Sequence, residues 1–418
     1  MKRILLLAAL LGAVATCGSA SAFNYVSRIP GADVTAAQPG APQAIPTNGT
    51  YTYDLGSFEE PSAPPESGKL ISGSIVGSWA DGFGQGGDAW QMNQVWLTSE
   101  KVYDAKRGTL DLGYRVDALF GTNILQSADG FDGKWGVSGD GYGASIFQAY
   151  GQLGYGMLSV KAGKIGTVVG YESVDASANP FATHSHMFMH EPATHTGGLF
   201  TLAPTDTFSL DFGMVSGIDN SFDNRRGDSG FLFGAHLDLA ENFSLSYGGS
   251  LAQVHSELGE NRLGTSFGYY EELLLGIPIG DSDEYLQTIT AEMQFTDKFS
   301  YAFTTNYGVM SDRANHDSRY GQLGFANYFN YQMFDQLSAH VRYEYYTQWL
   351  DDAGRPEFLR EMRQNIHDVS FSLLYKPCES LFILPEVRYD WIETGNVKDN
   401  LTIKADGVTG AVACGVVF

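Results

Sequence analysis

The C-terminal segment, residues 404–418, constrains the fold of this chain more than any other stretch. The chain ends on an aromatic residue, and two sets of residues alternate along the segment. One face carries Val412, Cys414, Val416 and Phe418, and the other carries Ala411, Ala413, Gly415 and Val417. This period of two predicts a β-strand with one face in lipid and a face of small residues turned inward. A bare apolar strand would leave an exposed edge, which a closed barrel removes by pairing the last strand with the first.

The same alternation recurs from about residue 70 onward. Its clearest example has Leu110, Leu112, Tyr114, Val116, Ala118 and Phe120 on one face and Asp111, Gly113, Arg115, Asp117 and Gly121 on the other. About sixteen such segments are separated by short turns, as at 241–242, 297–298, 334–335 and 377–379, and by longer polar loops. We therefore predict an all-β fold, a transmembrane antiparallel up-and-down β-barrel spanning residues 69–418. Residues 264–280 leave open an additional hairpin or a loop folded onto the barrel.

The N-terminal region is predicted to export the chain and not to join the barrel. Lys2 and Arg3 precede an apolar run, and Ala20-Ser21-Ala22 offers a cleavage site, so residues 1–22 are predicted to be a secretory signal peptide. Lipidation at Cys17 is the alternative that we consider less favoured. Residues 23–68 are rich in Pro, Ala, Gly and Ser without periodicity, which predicts a flexible periplasmic arm.

The composition agrees with an exported barrel. The formal net charge is -23, and removal of the two basic signal residues gives -23 - 2 = -25. Such acidity argues against nucleic acid as a partner. The chain has 50 Gly, 23 Tyr and 26 Phe, which suit curved strands and aromatic girdles. Beyond the signal we find no apolar run of about 18 residues, so we expect no transmembrane helix.

Four segments resemble a known family. They are residues 148–153 (QAYGQL), 170–172 (GYE), 191–197 (EPATHTG) and 385–391 (PEVRYDW), and they resemble the β-barrel porin family described as OmpL-like. Ala193 stands where an aromatic residue is expected. The resemblance covers residues 72–418 and implies an outer-membrane porin, without catalytic residues to carry over. Phe418 resembles the signal read by the barrel assembly machinery, and further expected partners are outer-membrane lipid, small solutes and other copies in a homotrimer.

The predicted inward faces carry charges of both signs. We predict a pore-lining set of Asp111, Arg115, Asp117, Asp238, Arg342, Glu344, Glu386, Arg388 and Asp390. Selectivity in a water-filled pore depends on its width and on such fixed charges, and the excess of acid predicts a weak cation preference during passive diffusion. These charges could equally pair with neighbours across strands and stiffen the wall.

Residues 168–194 are predicted to form a constriction loop after the fifth strand. The candidate residues are Glu172, Asp175, His184, His186, His190, Glu191 and His195. Histidines beside carboxylates make a metal site conceivable, but we favour a hydrogen-bonded plug or loop anchor, and we expect no metal and no cofactor.

Two further expectations concern cysteines and catalysis. Cys378 and Cys414 remain after processing, and we expect two free thiols, although the oxidising periplasm permits a disulfide. Asp211, His236, Asp238 and Ser250 lie on adjacent predicted inward faces, which a barrel hydrolase would require. Polar groups of this kind occur in any polar lumen, so we expect no enzyme. A structural or adhesive barrel with a plugged lumen is the alternative to an open pore.

Overall fold

The computed structural model describes residues 71–82, 90–105, 108–122, 142–220, 222, 227–255, 281–313, 318–352, 361–396 and 401–418. The predicted signal peptide, the predicted arm and residues 264–280 lie outside the described residues.

Sixteen β-strands build the described fold. They are β1 Ser72–Gly82, β2 Gln91–Lys101, β3 Asp111–Gly121, β4 Gly143–Tyr155, β5 Leu158–Gly166, β6 Thr194–Thr205, β7 Phe208–Val215, β8 Ser229–Ala240, β9 Phe243–Val254, β10 Ser282–Thr296, β11 Phe299–Asp312, β12 Ser318–Phe334, β13 Leu337–Asp352, β14 Met362–Cys378, β15 Leu381–Asn396 and β16 Leu401–Val417. Among the described residues, no helix is both long enough and apolar enough to cross a membrane.

The strands close into one antiparallel barrel. Each strand pairs with its neighbours in sequence, and β1 pairs with β16, with Ser74 opposite Val417 and Gly82 opposite Thr409. The last strand therefore has no free edge, as its alternation predicted. The predicted all-β barrel and its sixteen strands are confirmed.

Outer and inner faces differ in chemistry, as period two requires. On β3, Leu112 is 64% exposed on the outside while Asp117 is 0% exposed on the inside. The outer face of β13–β15 carries packed aromatic rings: the His367 ring stacks on Trp391 with the centroids 4.7 Å apart, and it lies tilted against Tyr345 with the centroids 4.8 Å apart. Aromatic rings of this kind mark the membrane interface of outer-membrane barrels.

Short turns lie at one end of the barrel and longer connections at the other. The turns at 241–242 and 297–298 lie where the sequence placed them. The predicted turns at 334–335 and 377–379 are displaced, because β12 continues to Phe334 and β14 to Cys378, so that the turns fall at 335–336 and 379–380.

The expectation of a free thiol is confirmed for Cys414, which is therefore not bridged to Cys378.

Candidate functional site

The connection between β5 and β6, residues 167–193, runs inside the barrel, and we call it the lumen loop. Its side chains and backbone bond to strands around the circumference, from Ser74 on β1 and Gln94 on β2 to Thr288 on β10 and Glu386 on β15. These bonds join residues more than 75 positions apart in sequence. A segment with such contacts is part of the lumen and not a surface loop.

The two ends of the lumen loop meet in a stem above β5 and β6. The Thr167 amide donates to the Ala193 carbonyl at 3.0 Å. The His195 Nδ1–H donates to the Gly217 carbonyl at 3.0 Å, which leaves Nε2 to accept from the Thr167 hydroxyl at 3.1 Å. Residues 191–197, which carried part of the family resemblance, therefore close this stem. His195 itself lies in β6, next to the lumen loop.

A glycine lets the stem close tightly. Gly170 has φ +104°, which disfavours residues with a Cβ, and a Cβ there would press on the Glu191 carboxylate. The Asn306 amide on β11 donates to Glu191 at 3.1 Å. Burial raises the pKa of the Glu191 carboxyl to about 8, and the hydrogen bond from Asn306 lowers it only in part.

The connection between β7 and β8 holds the end of the lumen loop. Asp219, at φ +50°, accepts from the amides of Ala193 at 2.9 Å and Thr194 at 2.8 Å. Burial raises the pKa of the Asp219 carboxyl to about 6, although these two amides favour its charged form. Non-glycine residues rarely adopt this left-handed conformation, so the surrounding contacts hold Asp219 in it.

Two glutamates of the barrel wall bind consecutive amides of the lumen loop. Glu386 accepts from the amides of Ala182 at 2.6 Å and Thr183 at 2.9 Å, and from the Thr183 hydroxyl at 2.6 Å. Glu344 accepts from the amides of His186 and Met187, each at 2.7 Å. Each glutamate thus accepts from two consecutive backbone amides, so the pair fixes residues 182–187.

Two arginines bind the carbonyls between those amides. Arg342, which is 0% exposed, donates to the Thr183 carbonyl at 2.9 Å and to the His184 carbonyl at 3.3 Å. Arg388 also donates to the His184 carbonyl, at 2.6 Å. We call the inward faces of β13, β14 and β15 the anchoring wall, because they bind both kinds of backbone group in the loop. Carboxyl groups accept from its amides and guanidinium groups donate to its carbonyls.

Glu172 of the lumen loop completes this network. It lies 3.2 Å from Arg342 Nη1 and accepts from the Tyr328 hydroxyl at 2.8 Å and from His184 Nδ1 at 2.9 Å. Burial alone would raise the pKa of the Glu172 carboxyl, but Arg342, His184 and the Ser185 amide outweigh it and bring the pKa to about 2. Glu172 is therefore charged at neutral pH.

The three loop histidines serve different contacts. The His184 ring stacks on Phe188 at 3.8 Å. His186 Nε2 lies 3.1 Å from Asp390 and 2.6 Å from Arg388 Nη2, and burial lowers the pKa of His186. His190 stacks on Tyr346 at 4.7 Å and donates to the His186 carbonyl, and burial lowers the pKa of His190 to about 4.

One group of potential metal ligands arises from this arrangement. Donor atoms of His186, Glu344 and Asp368 lie within 4.8 Å of one another. Arg388 approaches the same place, with its Nη2 at 2.6 Å from His186 and 3.7 Å from Asp368. Since a guanidinium already supplies the positive charge there, the donor set favours a buried ion-pair network over a metal centre.

The opposite side of the lumen holds the loop differently. We call the inward faces of β16 and β1, together with Gln94 on the neighbouring β2, the small-residue wall, since β16 and β1 present Ala411, Ala413, Ser74 and Ser78 there. Gln94 donates to the Val174 carbonyl at 2.7 Å and accepts from the Ala176 amide at 2.8 Å. The Ser74 hydroxyl donates to Asp175 at 3.2 Å. Burial raises the pKa of Asp175.

Apolar contacts secure the first part of the loop. Val168 and Val169 are both 2% exposed and pack in a cluster with inward side chains of β4 to β8 and β10. A Cβ at Gly248 would overlap the Val168 carbonyl, so glycine on β9 lets the backbones approach. Tyr171, Phe181 and Met187 pack against a second apolar patch on β11–β14.

The remaining predicted pore-lining residues do not touch the loop. Arg115 pairs with Asp117 at 2.8 Å and with Glu100 at 3.3 Å, and Lys101 pairs with Asp111 at 3.2 Å. These bonds lie on β2 and β3. Asp238 on β8 keeps 40% of its side chain exposed.

The serine that contacts His236 is Ser246, whereas the hydrolase hypothesis named Ser250. His236 Nδ1 lies 2.8 Å from the Ser246 hydroxyl, and His236 Nε2 lies 3.1 Å from Asp238. Asp211 instead accepts from Thr201 at 2.5 Å. Ser246 is only 5% exposed, so the hydroxyl that would act as a nucleophile is not presented to solution.

Several residues of the site were missed by sequence reasoning. Asp368 pairs with Arg342 at 3.3 Å, and its inward position follows from the alternation of β14, which places Val369 and Phe371 outside. Gln94 and Asp219 carry no such signal, because their partners lie in a loop whose path the sequence does not reveal.

Comparisons with known proteins agree with this architecture. The model of the family described as "Putative beta-barrel porin-2, OmpL-like" matches residues 76–418. No curated protein matches the chain.

Solved structures resemble the fold at low sequence identity. In vitro folded OmpT, an outer membrane protein of Vibrio cholerae in its trimer form, has a TM-score of 0.56 at 10% identity, covering 83% of this chain and 98% of that one. The anion-selective porin from Comamonas acidovorans has a TM-score of 0.53 at 10% identity, with coverage of 83% and 98%. OprB of Pseudomonas putida has a TM-score of 0.50 at 13% identity, with coverage of 83% and 94%.

Proposed function

The chain belongs to the β-barrel porin family described as OmpL-like, and from this premise we propose that it is a passive channel for small hydrophilic solutes and ions. It is an outer-membrane protein with a closed barrel of sixteen strands. The observation that carries the proposal is a polar, charged inner face behind an apolar outer face, in a barrel wide enough to contain water. The lumen loop narrows this barrel and acts as its constriction.

A weak cation preference belongs to the same proposal. The lumen loop binds the charged side chains of the anchoring wall. The electric field that acts on a solute therefore comes from charged groups elsewhere in the lumen. Among these groups the exposed fraction of the side chain is 35% for Glu100 and 40% for Asp238, against 24% for Arg115 and 51% for Lys101. The exposed charges are therefore mixed, and the proposed cation preference rests on the formal net charge of -23.

The proposed partners follow from the membrane context. Outer-membrane lipid contacts the apolar outer face, and Phe418 presents the C-terminal signal to the barrel assembly machinery. The trimer form of the Vibrio cholerae protein supports a homotrimer. We propose no catalytic activity and no cofactor.

Two alternatives have an observation in their favour. A plugged structural barrel is favoured by the number of walls that the lumen loop touches. A barrel hydrolase is favoured by the Ser246–His236–Asp238 chain of contacts. Loss of a detergent-phase hydrolase activity in a His236→Ala variant would support the second.

Planar-bilayer recording of the refolded mature protein tests the proposal. We expect stepwise openings and a reversal potential in a salt gradient that indicates cation preference. Folding is controlled by heat-modifiable mobility on gels. A silent bilayer with folded protein would overturn the channel proposal and favour the plugged barrel.

A further inference from the structure

One inward-facing glutamate lies apart from the network of the anchoring wall. Glu292 on β10 is 7% exposed, and no donor among the described residues meets either of its carboxylate oxygens in hydrogen-bond geometry. The charged side chain that acts on it there is another carboxylate, that of Asp238 on β8. Burying a carboxylate is costly unless a cation pairs with it or it coordinates a metal ion.

Strand pairing places the two carboxylates in one row of the inner face. Asp238 stands opposite Ser244 on β9, and Ser244 stands opposite Glu292. Neighbouring strands lie about 4.8 Å apart, so roughly 10 Å separates the backbones of Asp238 and Glu292. The small Ser244 side chain leaves room between them, and its hydroxyl acts on Glu292 from outside hydrogen-bond geometry. The two acidic side chains can therefore converge above Ser244.

A buried amide oxygen lies next to this row. Gln294, the following inward residue of β10, is 6% exposed. Its Nε2 donates to the Thr296 carbonyl, and its Oε1 has no hydrogen-bond partner among the described residues. Carboxylate, hydroxyl and amide oxygens thus meet in one place. Ca²⁺ takes about six to eight such oxygen ligands in a flexible geometry.

The charge balance distinguishes this place from the histidine–carboxylate group beside the lumen loop. There, Arg388 already supplies the positive charge. Among the described residues, no lysine or arginine pairs with Glu292 or Asp238, and His236, 3.1 Å from Asp238, is charged only if protonated. The oxygens of this row therefore lack the cation that the other group has.

We propose that Glu292, Asp238, Ser244 and Gln294 form a binding site for a calcium-sized divalent cation, with water supplying the remaining ligands. The ion joins β8 to β10 across β9, near the end of the barrel that carries the short turns. The site goes beyond the proposed channel function and does not depend on it. It also departs from the expectation of no metal, which concerned the histidines of the lumen loop.

Calorimetric titration of Ca²⁺ into the folded protein, stripped beforehand with a chelator, tests the site. Because the chain is strongly acidic, about 0.15 M NaCl is included to screen weak binding at its surface. We expect one saturable equivalent of Ca²⁺, lost in Glu292→Gln. Asp238→Asn should weaken it about tenfold, since the number of charged ligands sets the affinity of such sites.

Asp297→Asn is the matched control. It removes an exposed carboxylate at the tip of the β10–β11 hairpin and should leave the saturable site intact. No saturable binding in the unsubstituted protein, or equal loss in Asp297→Asn and Glu292→Gln, would overturn the site and leave the channel function untouched. Heat-modifiable gel mobility shows that each variant is folded. If Glu292→Gln does not fold, Asp238→Asn decides, and an unchanged affinity in that variant would overturn the site.

Discussion

The anchoring wall and the small-residue wall bind the same loop by different chemistry. On the anchoring wall, Glu344, Glu386 and Arg342 contact loop amides and carbonyls through carboxyl and guanidinium groups. On the small-residue wall, the uncharged Gln94 amide bonds to two backbone groups of the loop, and the Ser74 hydroxyl donates to Asp175. The difference indicates that charges inside a barrel can be structural, since they fix the loop that shapes the lumen.

Arg342→Ala should weaken the binding of the loop to the anchoring wall more than any other substitution below. The substitution leaves Glu172 and Asp368 without their shared guanidinium, and removal of one partner from a buried ion pair costs about 3–5 kcal/mol. We expect the loop to leave the anchoring wall. Increased protease cleavage within residues 167–193 and unsteady, larger channel openings would report the release.

Arg115→Ala is the matched control for that substitution. Arg115 pairs with Asp117 on β3 and Glu100 on β2, away from the anchoring wall. Its loss should alter ion selectivity and leave the loop protected. Equal cleavage in both variants would contradict a special role for the anchoring wall.

A comparison of Glu386→Ala with Gln94→Ala sharpens the difference between the walls. The first removes three hydrogen bonds to a carboxylate and should weaken loop docking by about 3 kcal/mol. The second removes two neutral hydrogen bonds and should cost about 1 kcal/mol. Protease protection of the loop measures both, and the reverse order would break the comparison.

Glu191 and Glu172 contribute an alkaline limb and an acid limb of opposite sign to the pH dependence of docking, beside the contributions of Asp219 and His190. Glu191 has a pKa raised from 4.5 to about 8, so the docked loop binds more protons than the released loop and docking weakens as pH rises through that window. Glu172 has a pKa lowered from 4.5 to about 2, so its contribution is lost as pH falls from 4.5 to 2.

Glu191→Gln should reduce the alkaline limb and leave the acid limb unchanged, and Glu172→Gln should do the reverse. Loop protection measured between pH 3 and 9 tests this directly. Because His195 and Asp219 also hold the stem, we expect a smaller change than in the Glu386 variant. An unchanged alkaline limb in Glu191→Gln would refute the assignment.

Ser74→Ala should have the smallest effect. It removes one hydrogen bond to Asp175, worth about 1 kcal/mol or less. Conductance and loop protection should stay close to those of the unsubstituted protein. A large loss of protection would show that the small-residue wall carries more of the docking than its contacts indicate.

The barrel was largely predictable from sequence, because period-two alternation is a local signal. The inward face of β13, with Arg342 and Glu344, follows from Val341, Tyr343 and Tyr345 on the outside. The closing of β16 on β1 follows from the apolar strand at the chain end.

The partners of those inward charges were not predictable. Sequence spacing left open whether they contact solutes or neighbouring strands. Arg342 does pair with Asp368 on the next strand, yet it also binds Thr183, which lies 159 positions away. A loop without periodicity gives no signal for such long-range contacts.

Hydrogen exchange of the loop amides tests the central claim most directly. The amides of Ala182, Thr183, His186 and Met187 donate to Glu386 or Glu344, so they should exchange as slowly as the amides of β13 and β15. Exchange of these four amides at the rate of an unprotected loop would contradict a lumen loop fixed on the anchoring wall.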